Sequence, residues 1–263
     1  MNLRNQVIWI TGASSGIGEA LAYALAKEGA RLILSARNRE ALERVKEACL
    51  PVQAVVLPLD LADAASMSAK VEEAVAAFGR VDVMVHNGGI SQRGYLANTS
   101  LAVDRQLMEV NFFGTVALTK SLLPHFIKQR SGYFVVVTSL VGKFGTPMRS
   151  TYAASKHALH GFFESLRAEH YADGIKVSLV CPGFIKTQVS VNALTESGAK
   201  QNTMDQAQAN GMLPEVFARH MVRAMEKQKE EVYIGGLREV AGVYLKRWWP
   251  SLFSRVLRKA KVT

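Results

Sequence analysis

Apolar residues recur along this chain in two alternating rhythms. Short, mainly apolar runs at 7–10, 31–35, 52–57, 81–85, 133–138, 176–181 and 231–234 read as strands. Between them, segments 17–27, 39–48, 64–78, 101–129, 152–171 and 214–227 carry apolar positions at helical spacing. Segment 101–129 is long enough to predict a bent or broken helix, and Pro214 stands where a first helical turn accepts proline. Strands that are apolar throughout, rather than alternating, are buried on both faces. Their regular alternation with helices predicts an α/β fold: a doubly wound parallel sheet with helices on both faces, three layers deep, joined by right-handed crossovers. The polar stretch 186–212 is too long for an ordinary loop and is expected to border a substrate. One domain over 1–236 and a tail over 237–263 are the expected organisation.

Composition narrows the classes. A chain of 263 residues with 49% apolar content can bury a full core. The net charge is +10, but it is uneven. Lysines and arginines at 238, 246, 247, 255, 258, 259 and 261 face a single acid, Glu239, so the last 26 residues carry +6. The basic character belongs mainly to the tail, and nucleic acid is not an expected partner. Cys49 and Cys181 are too few for a disulfide framework and fit a cytoplasmic setting. Residues 1–4 run directly into the first strand, so no targeting segment is expected, and no run of 18 apolar residues predicts a membrane span.

Candidate chemistry begins with Tyr152 and Lys156, one helical turn apart, and Ser139 thirteen residues before the tyrosine. A phenol with a pKa of about 10 is a poor acid or base at neutral pH. An ammonium at roughly 4 Å, in an effective dielectric near 20, would lower it by up to about three units. The serine hydroxyl would hold the oxygen that receives the proton. The pair alone is not distinctive, because Tyr23 and Lys27 share its spacing. Position separates them: Tyr152 falls near a helix start, where the dipole favours an anion, whereas Tyr23 lies inside an alanine-rich helix and is expected to pack.

A second motif gives the trio a setting. Thr11, Gly12, Ala13, Ser14, Ser15, Gly16, Ile17 and Gly18 follow the first strand and open the first helix. Glycines there let backbone approach a pyrophosphate, and the helix start offers free N–H groups. This makes the expected sheet Rossmann-type. The next strand ends at Ser35-Ala36-Arg37, with no carboxylate for a ribose hydroxyl before Glu40. Arg37, with Arg39 behind it, suits a 2′-phosphate, so NADP(H) is the expected cofactor.

With Asp60-Leu61 after the third strand, Asn87-Gly88-Gly89 after the fourth, Asn111 in the long helix, and Pro182-Gly183 with Thr187 beyond, the motifs resemble the short-chain dehydrogenase/reductase family along the whole chain. The resemblance implies an NADPH-dependent carbonyl reductase or alcohol dehydrogenase with Asn111, Ser139, Tyr152 and Lys156 as its catalytic residues. It implies cofactor contacts from Gly12, Ser14, Ser15, Gly16, Ile17, Gly18, Asp60, Leu61, Asn87, Gly88, Tyr152, Lys156, Pro182, Gly183, Ile185 and Thr187, alongside Arg37. In the family the lysine binds the nicotinamide ribose and depresses the tyrosine, and the asparagine holds a water in a proton relay. Homodimers or homotetramers through helices matching 101–129 and 151–171 are likewise implied, and no metal is called for. Two positions depart from the pattern: His86 replaces an asparagine, and Gly88 an alanine. His86 is expected to be a satisfied, half-buried histidine. A non-catalytic NADP(H)-binding sensor or scaffold is the alternative, disfavoured because all four catalytic positions are present.

The residues after Ser139, from Leu140 to Arg149, are expected to wall a substrate pocket, with Gln92, Arg93, Tyr95 and Phe144 as further wall candidates. In the tail, Pro250 separates two short helices. Val240, Tyr244 and Trp248 share one face; Trp249, Leu252, Phe253, Val256 and Leu257 supply another. Aromatics interleaved with Lys and Arg suit either a membrane surface or packing over the cleft, and both readings stand. An amphiphilic carbonyl or alcohol is the favoured substrate. The loop 189–198 and this aromatic-basic end resemble the member-7B branch of the family, whose members are often anchored by an apolar N-terminal segment.

Overall fold

A computed structural model of the chain describes residues 1–259. Lys261, counted above in the basic tail, lies outside the described residues with the rest of 260–263. Seven strands form one parallel sheet in the order β3-β2-β1-β4-β5-β6-β7. They are β1 (Val7–Thr11), β2 (Arg31–Ser35), β3 (Ala54–Val56), β4 (Val83–His86), β5 (Gly132–Val137), β6 (Ile175–Pro182) and β7 (Glu231–Ile234). The helices are α1 (Gly16–Lys27), α2 (Arg39–Ala48), α3 (Met67–Phe78), α4 (Leu101–Met108), α5 (Gly114–Gln129), α6 (Ser150–Glu169), α7 (Gln206–Ala209), α8 (Pro214–Glu226), α9 (Leu237–Trp248) and α10 (Pro250–Leu257).

The all-apolar strands are explained by two cores, one on each face. Along β1, Ile8 and Ile10 join α1, α2 and α8 through Leu21, Leu25, Val45 and Phe217. Val7 and Trp9 turn the other way, toward Met67 and Val71 of α3, Phe126 of α5 and Phe163 of α6. Every residue of β1 is buried. The sheet is therefore the middle of three layers, as the sequence pattern predicts. Trp9 tolerates burial because its indole N–H donates to Ser35 Oγ at 2.8 Å, and that hydroxyl donates to Leu57 O at 2.6 Å.

Strand order reverses between β1 and β4. The chain runs outward through β2 and β3, then returns to place β4 on the other side of β1. Two diverging crossovers leave a crevice beyond the carboxyl ends of these strands, where open α/β sheets bind ligands. The long segment 101–129 is indeed broken: a π-helical turn, Glu109–Phe113, separates α4 from α5. Such insertions concentrate at functional sites. The tail folds as two helices divided at Pro250. Their inner faces bury Val243 and Phe253, and the Phe144 and Phe253 rings lie 5.0 Å apart. Among the described residues, no helix is long and apolar enough to cross a membrane.

Candidate active site

The crevice at the strand ends is a cavity of about 1660 Å³. Its floor is the turn between β1 and α1. Gly12 and Gly16 adopt φ +66° and +59°, a region that side-chain-bearing residues rarely enter. A Cβ on Gly12 would lie 2.8 Å from Gly88 Cα, and one on Gly18 would collide with the Gly12 carbonyl. Gly12 and Gly16 line the cavity; Gly18 does not, and serves the close approach of α1 to the turn.

Asn87 locks this turn from the neighbouring strand. Its amide nitrogen donates to Thr11 O at 3.0 Å and Gly12 O at 3.2 Å. The Thr11 hydroxyl accepts from the backbone N–H of Asn87 and of Gly88, at 3.1 and 3.0 Å. Ser15 precedes α1 without a side-chain cap, so the first helical turn opens toward the cavity alongside Ser14, Gly16 and Ile17. Uncapped N–H groups, hydroxyls and absent Cβ atoms together fit a dinucleotide pyrophosphate.

At the rim above the turn, Arg37 is exposed and lines the cavity beside Ala36. Arg39 does not back it; its guanidinium pairs with Glu43 at 3.8 Å along α2. Asp60 and Leu61 line the same end, with Asp60 accepting from Ala62 N at 3.0 Å. At the opposite end, Pro182, Gly183, Ile185 and Thr187 complete the wall.

Ser139, Tyr152 and Lys156 meet between these ends. The Ser139 hydroxyl donates to Pro182 O at 3.5 Å and accepts from Val141 N at 3.3 Å, and it stands close enough to the Tyr152 phenol to lower its pKa. Lys156, buried on the next turn of α6, donates to Val137 O at 3.0 Å, and its ammonium lies 5.8 Å from the Tyr152 ring centre. The Tyr152 pKa is raised, because burial outweighs the lowering exerted by Arg149, by the Ser139 hydroxyl and by Arg93. Burial also pushes Lys156 down to about 8. This corrects the expectation that the lysine depresses the phenol. In the chain alone burial keeps the phenol protonated, and the largest cationic influence on it is that of Arg149.

Asn111 sits in the π-helical turn, fully inside the protein. Its side chain accepts from Ile90 N at 2.8 Å and donates to Ile90 O at 2.9 Å and Ser155 Oγ at 3.1 Å. It does not line the cavity. A Cβ on Gly89 would fall 3.0 Å from Asn111 Oδ1 and 3.7 Å from Lys156 Nζ, so both side chains approach this glycine on its Cβ side, Lys156 from within the cavity lining and Asn111 from behind it.

Of the wall candidates, Arg93 and Phe144 line the cavity, whereas Gln92 and Tyr95 do not. Gln92 has a different task. Wholly buried, it accepts from the N–H groups of Thr151 and Tyr152, at 3.1 and 3.2 Å, and so caps the helix that carries the tyrosine. Nothing in the sequence reveals this, because 60 residues separate cap and helix. Two more residues escaped the sequence reading. Asp205, from the 186–212 segment, pairs with Arg93 at 2.5 Å and stands 3.6 Å from Arg149. Burial would raise Asp205, but the hydrogen bonds from Arg93 and Gln201 hold it below the ordinary carboxylate range. Glu239, in the first turn of α9, accepts from Phe184 N at 2.9 Å and ties the tail to the segment after Gly183.

The other notable side chains are structural. His86 is buried rather than half-buried; its Nε2 is 2.9 Å from Thr119 Oγ1, and burial lowers its pKa to about 3. Tyr23 donates to Glu19 Oε1 at 2.8 Å and rises to about 12, chiefly through burial. His160, Glu164 and Glu231 bring potential ligand atoms within 4.8 Å, but Lys143 Nζ lies 2.7 Å from Glu231, where an ammonium already balances the carboxylate. Both cysteines are free and buried.

Residues 6–228 match the profile of the family described as short chain dehydrogenase. A "Dehydrogenase/reductase SDR family protein 7-like" of Anopheles gambiae is 41% identical over 98% of this chain and 84% of its own length. A "Dehydrogenase/reductase SDR family member 7B" of Bos taurus is 41% identical over 97% of this chain and 81% of its own length. Among solved structures, a short chain dehydrogenase/reductase from Burkholderia phymatum in complex with NAD superposes with TM-score 0.86, at 23% identity and 96% coverage of both chains. An alcohol dehydrogenase from Thermococcus sibiricus complexed with 5-hydroxy-NADP gives TM-score 0.76, at 27% identity, over 88% of this chain and 97% of that one.

Proposed function

We propose that this chain, which belongs to the short-chain dehydrogenase family, is an NADPH-dependent carbonyl reductase that interconverts a ketone or aldehyde with its alcohol. The observation that carries the reading is the meeting of Ser139, Tyr152 and Lys156 on one cavity whose floor is the glycine turn. The cofactor, when bound, supplies or accepts the hydride. Tyr152, kept protonated by burial, donates to the substrate oxygen. Ser139, which lines the same cavity, orients that oxygen with its hydroxyl. Lys156 and Asn111, both close to Gly89, would hold the ribose and return the proton through bound water.

The choice of NADP over NAD rests on Ala36 and Arg37. The structural neighbours include one described with NAD and one with an NADP derivative, and so support either. An exposed guanidinium at the cavity rim, with no carboxylate at position 36, favours a 2′-phosphate. Two buried free thiols suit a reducing, cytoplasmic compartment. Helices α4 to α6 would pair in a homodimer or homotetramer, where Phe113, 50% exposed, offers apolar contact area. Apolar side chains of the tail, including Trp249, Phe253 and Leu257, line the cavity and favour an amphiphilic substrate.

Fluorescence titration with NADPH and NADH tests the cofactor choice. Tighter NADPH binding, weakened by Arg37→Asp, is expected; equal or tighter NADH binding overturns it. NADPH oxidation across steroid, acyl, quinone and small aldehyde carbonyls tests the activity. Binding without turnover on the whole panel would favour a sensor or scaffold instead.

A further inference from the structure

Helices α9 and α10 have two faces, and only one is used by the fold. The inner face holds Val243 and Phe253 against Leu140, Phe144 and Tyr233. The outer face presents Trp248 and Trp249, 69% and 61% exposed, with Leu252 and Val256 at 47% and 51%. Around them stand Lys246, Arg247, Arg255, Arg258 and Lys259, all exposed, while residues 240–259 contain no Asp or Glu. The acid just before this stretch, Glu239, is occupied with Phe184 N.

We propose that this outer face docks on a bilayer containing anionic phospholipid. Peripheral attachment of useful strength needs two signals, an apolar insertion and a basic patch. Two adjacent tryptophans at the corner between α9 and α10 supply the first, since indole rings favour the depth of the headgroups. Five cations with no intervening acid supply the second. The charge pattern also selects the bilayer over a second copy of the chain, because two such faces brought together would repel. Neither α9 nor α10 is long and apolar enough to cross a membrane, so this face would lie along the surface.

Docking has a consequence for the cavity. Trp249 and Val256 belong both to the exposed face and to the cavity wall, and Leu257 lines the cavity beside them. The part of the cavity wall that these residues form would then meet the lipid. A carbonyl dissolved in the bilayer would reach Tyr152 without crossing bulk water. This last step rests on the proposed carbonyl reductase reading; the docking itself does not.

The test is co-sedimentation of the full chain with phosphatidylcholine vesicles, with and without about 30 mol% phosphatidylglycerol. Binding is expected to be at least tenfold stronger with the anionic lipid, and to weaken in about 0.5 M salt. Each basic side chain near such a surface contributes roughly fivefold. The triple variant Lys246→Glu, Arg247→Glu, Arg255→Glu should lose at least tenfold in partitioning. Trp248→Ala, a smaller change that spares the cavity wall, should weaken binding while leaving the melting temperature in place. Equal binding to neutral and anionic vesicles, or unaltered binding by Trp248→Ala, overturns the proposal. So does a fall in molar mass by light scattering in Trp248→Ala, which would make the face a contact between copies. NADPH oxidation with a water-soluble aldehyde, without vesicles, is measured in parallel. If turnover is absent while vesicle binding behaves as expected, the catalytic reading fails and the docking stands.

Discussion

The side-chain carbonyl of Gln92 accepts from the backbone N–H of Tyr152 at 3.2 Å, and from that of Thr151 at 3.1 Å. The residue before α6, Arg149, makes no side-chain cap, so the start of this helix depends on a glutamine from the loop after β4. That loop also forms the cavity wall through Ser91 and Arg93. One buried amide thus fixes the tyrosine relative to the wall that faces it.

Removing the acceptor should show this. Gln92→Leu leaves two half-buried N–H groups without a side-chain partner, at a cost of about 1–3 kcal/mol in stability. Because the helix start would shift, turnover should fall roughly ten- to a hundredfold. Gln92→Glu keeps an acceptor at a helix start that favours negative charge, and should retain more turnover than the leucine variant. Melting temperature and steady-state kinetics check both. Equal turnover in Gln92→Leu and the parent would remove the positioning role.

Asp205 fastens the 186–212 segment to the body of the domain through Arg93 and Arg149. All three side chains are buried. Asp205→Ala takes away one partner of a buried ion pair and should cost about 3–5 kcal/mol. Denaturant titration measures the loss, and amide hydrogen exchange should rise first in 186–212. A change within experimental error would mean the cluster is not what holds the segment.

Acid should destabilise the fold through His86. Burial holds this group down to about 3, while the unfolded chain takes up its proton near the ordinary value of 6.5. The unfolded state then binds more protons, so stability is full above about 6.5 and declines as pH falls toward about 3. The slope from one such histidine is ~1.4 kcal/mol per pH unit. His160, lowered to about 4 mainly by burial, adds a contribution of the same sign. Melting temperatures from pH 7.5 to 4 should fall less steeply in His86→Asn than in the parent. Equal slopes would contradict this.

Sequence reading and structure agree where short-range chemistry decides. The alternation of apolar strands and helices reflects cores on both faces of the sheet, and Pro250 divides the tail because it cannot continue a helix. The glycine turn was legible because positive φ and close approach demand glycine at Gly12 and Gly16. What escaped depends on contacts distant in sequence. Gln92 reaches Thr151 and Tyr152, Asp205 reaches Arg93, and Glu239 reaches Phe184, with no local signal in any case. The direction of the Tyr152 shift was misread for a similar reason. Spacing along α6 gives the distance to Lys156, but not the depth of burial that raises the phenol.

The central claim is that Tyr152 is the proton donor to the substrate oxygen. Tyr152→Phe removes one hydroxyl and preserves the ring, Ser139 and Lys156. NADPH affinity and turnover should be measured on the same preparation, with any carbonyl the parent enzyme reduces. Near-complete loss of turnover with unchanged NADPH affinity is the predicted result. Turnover close to that of the parent would contradict the account.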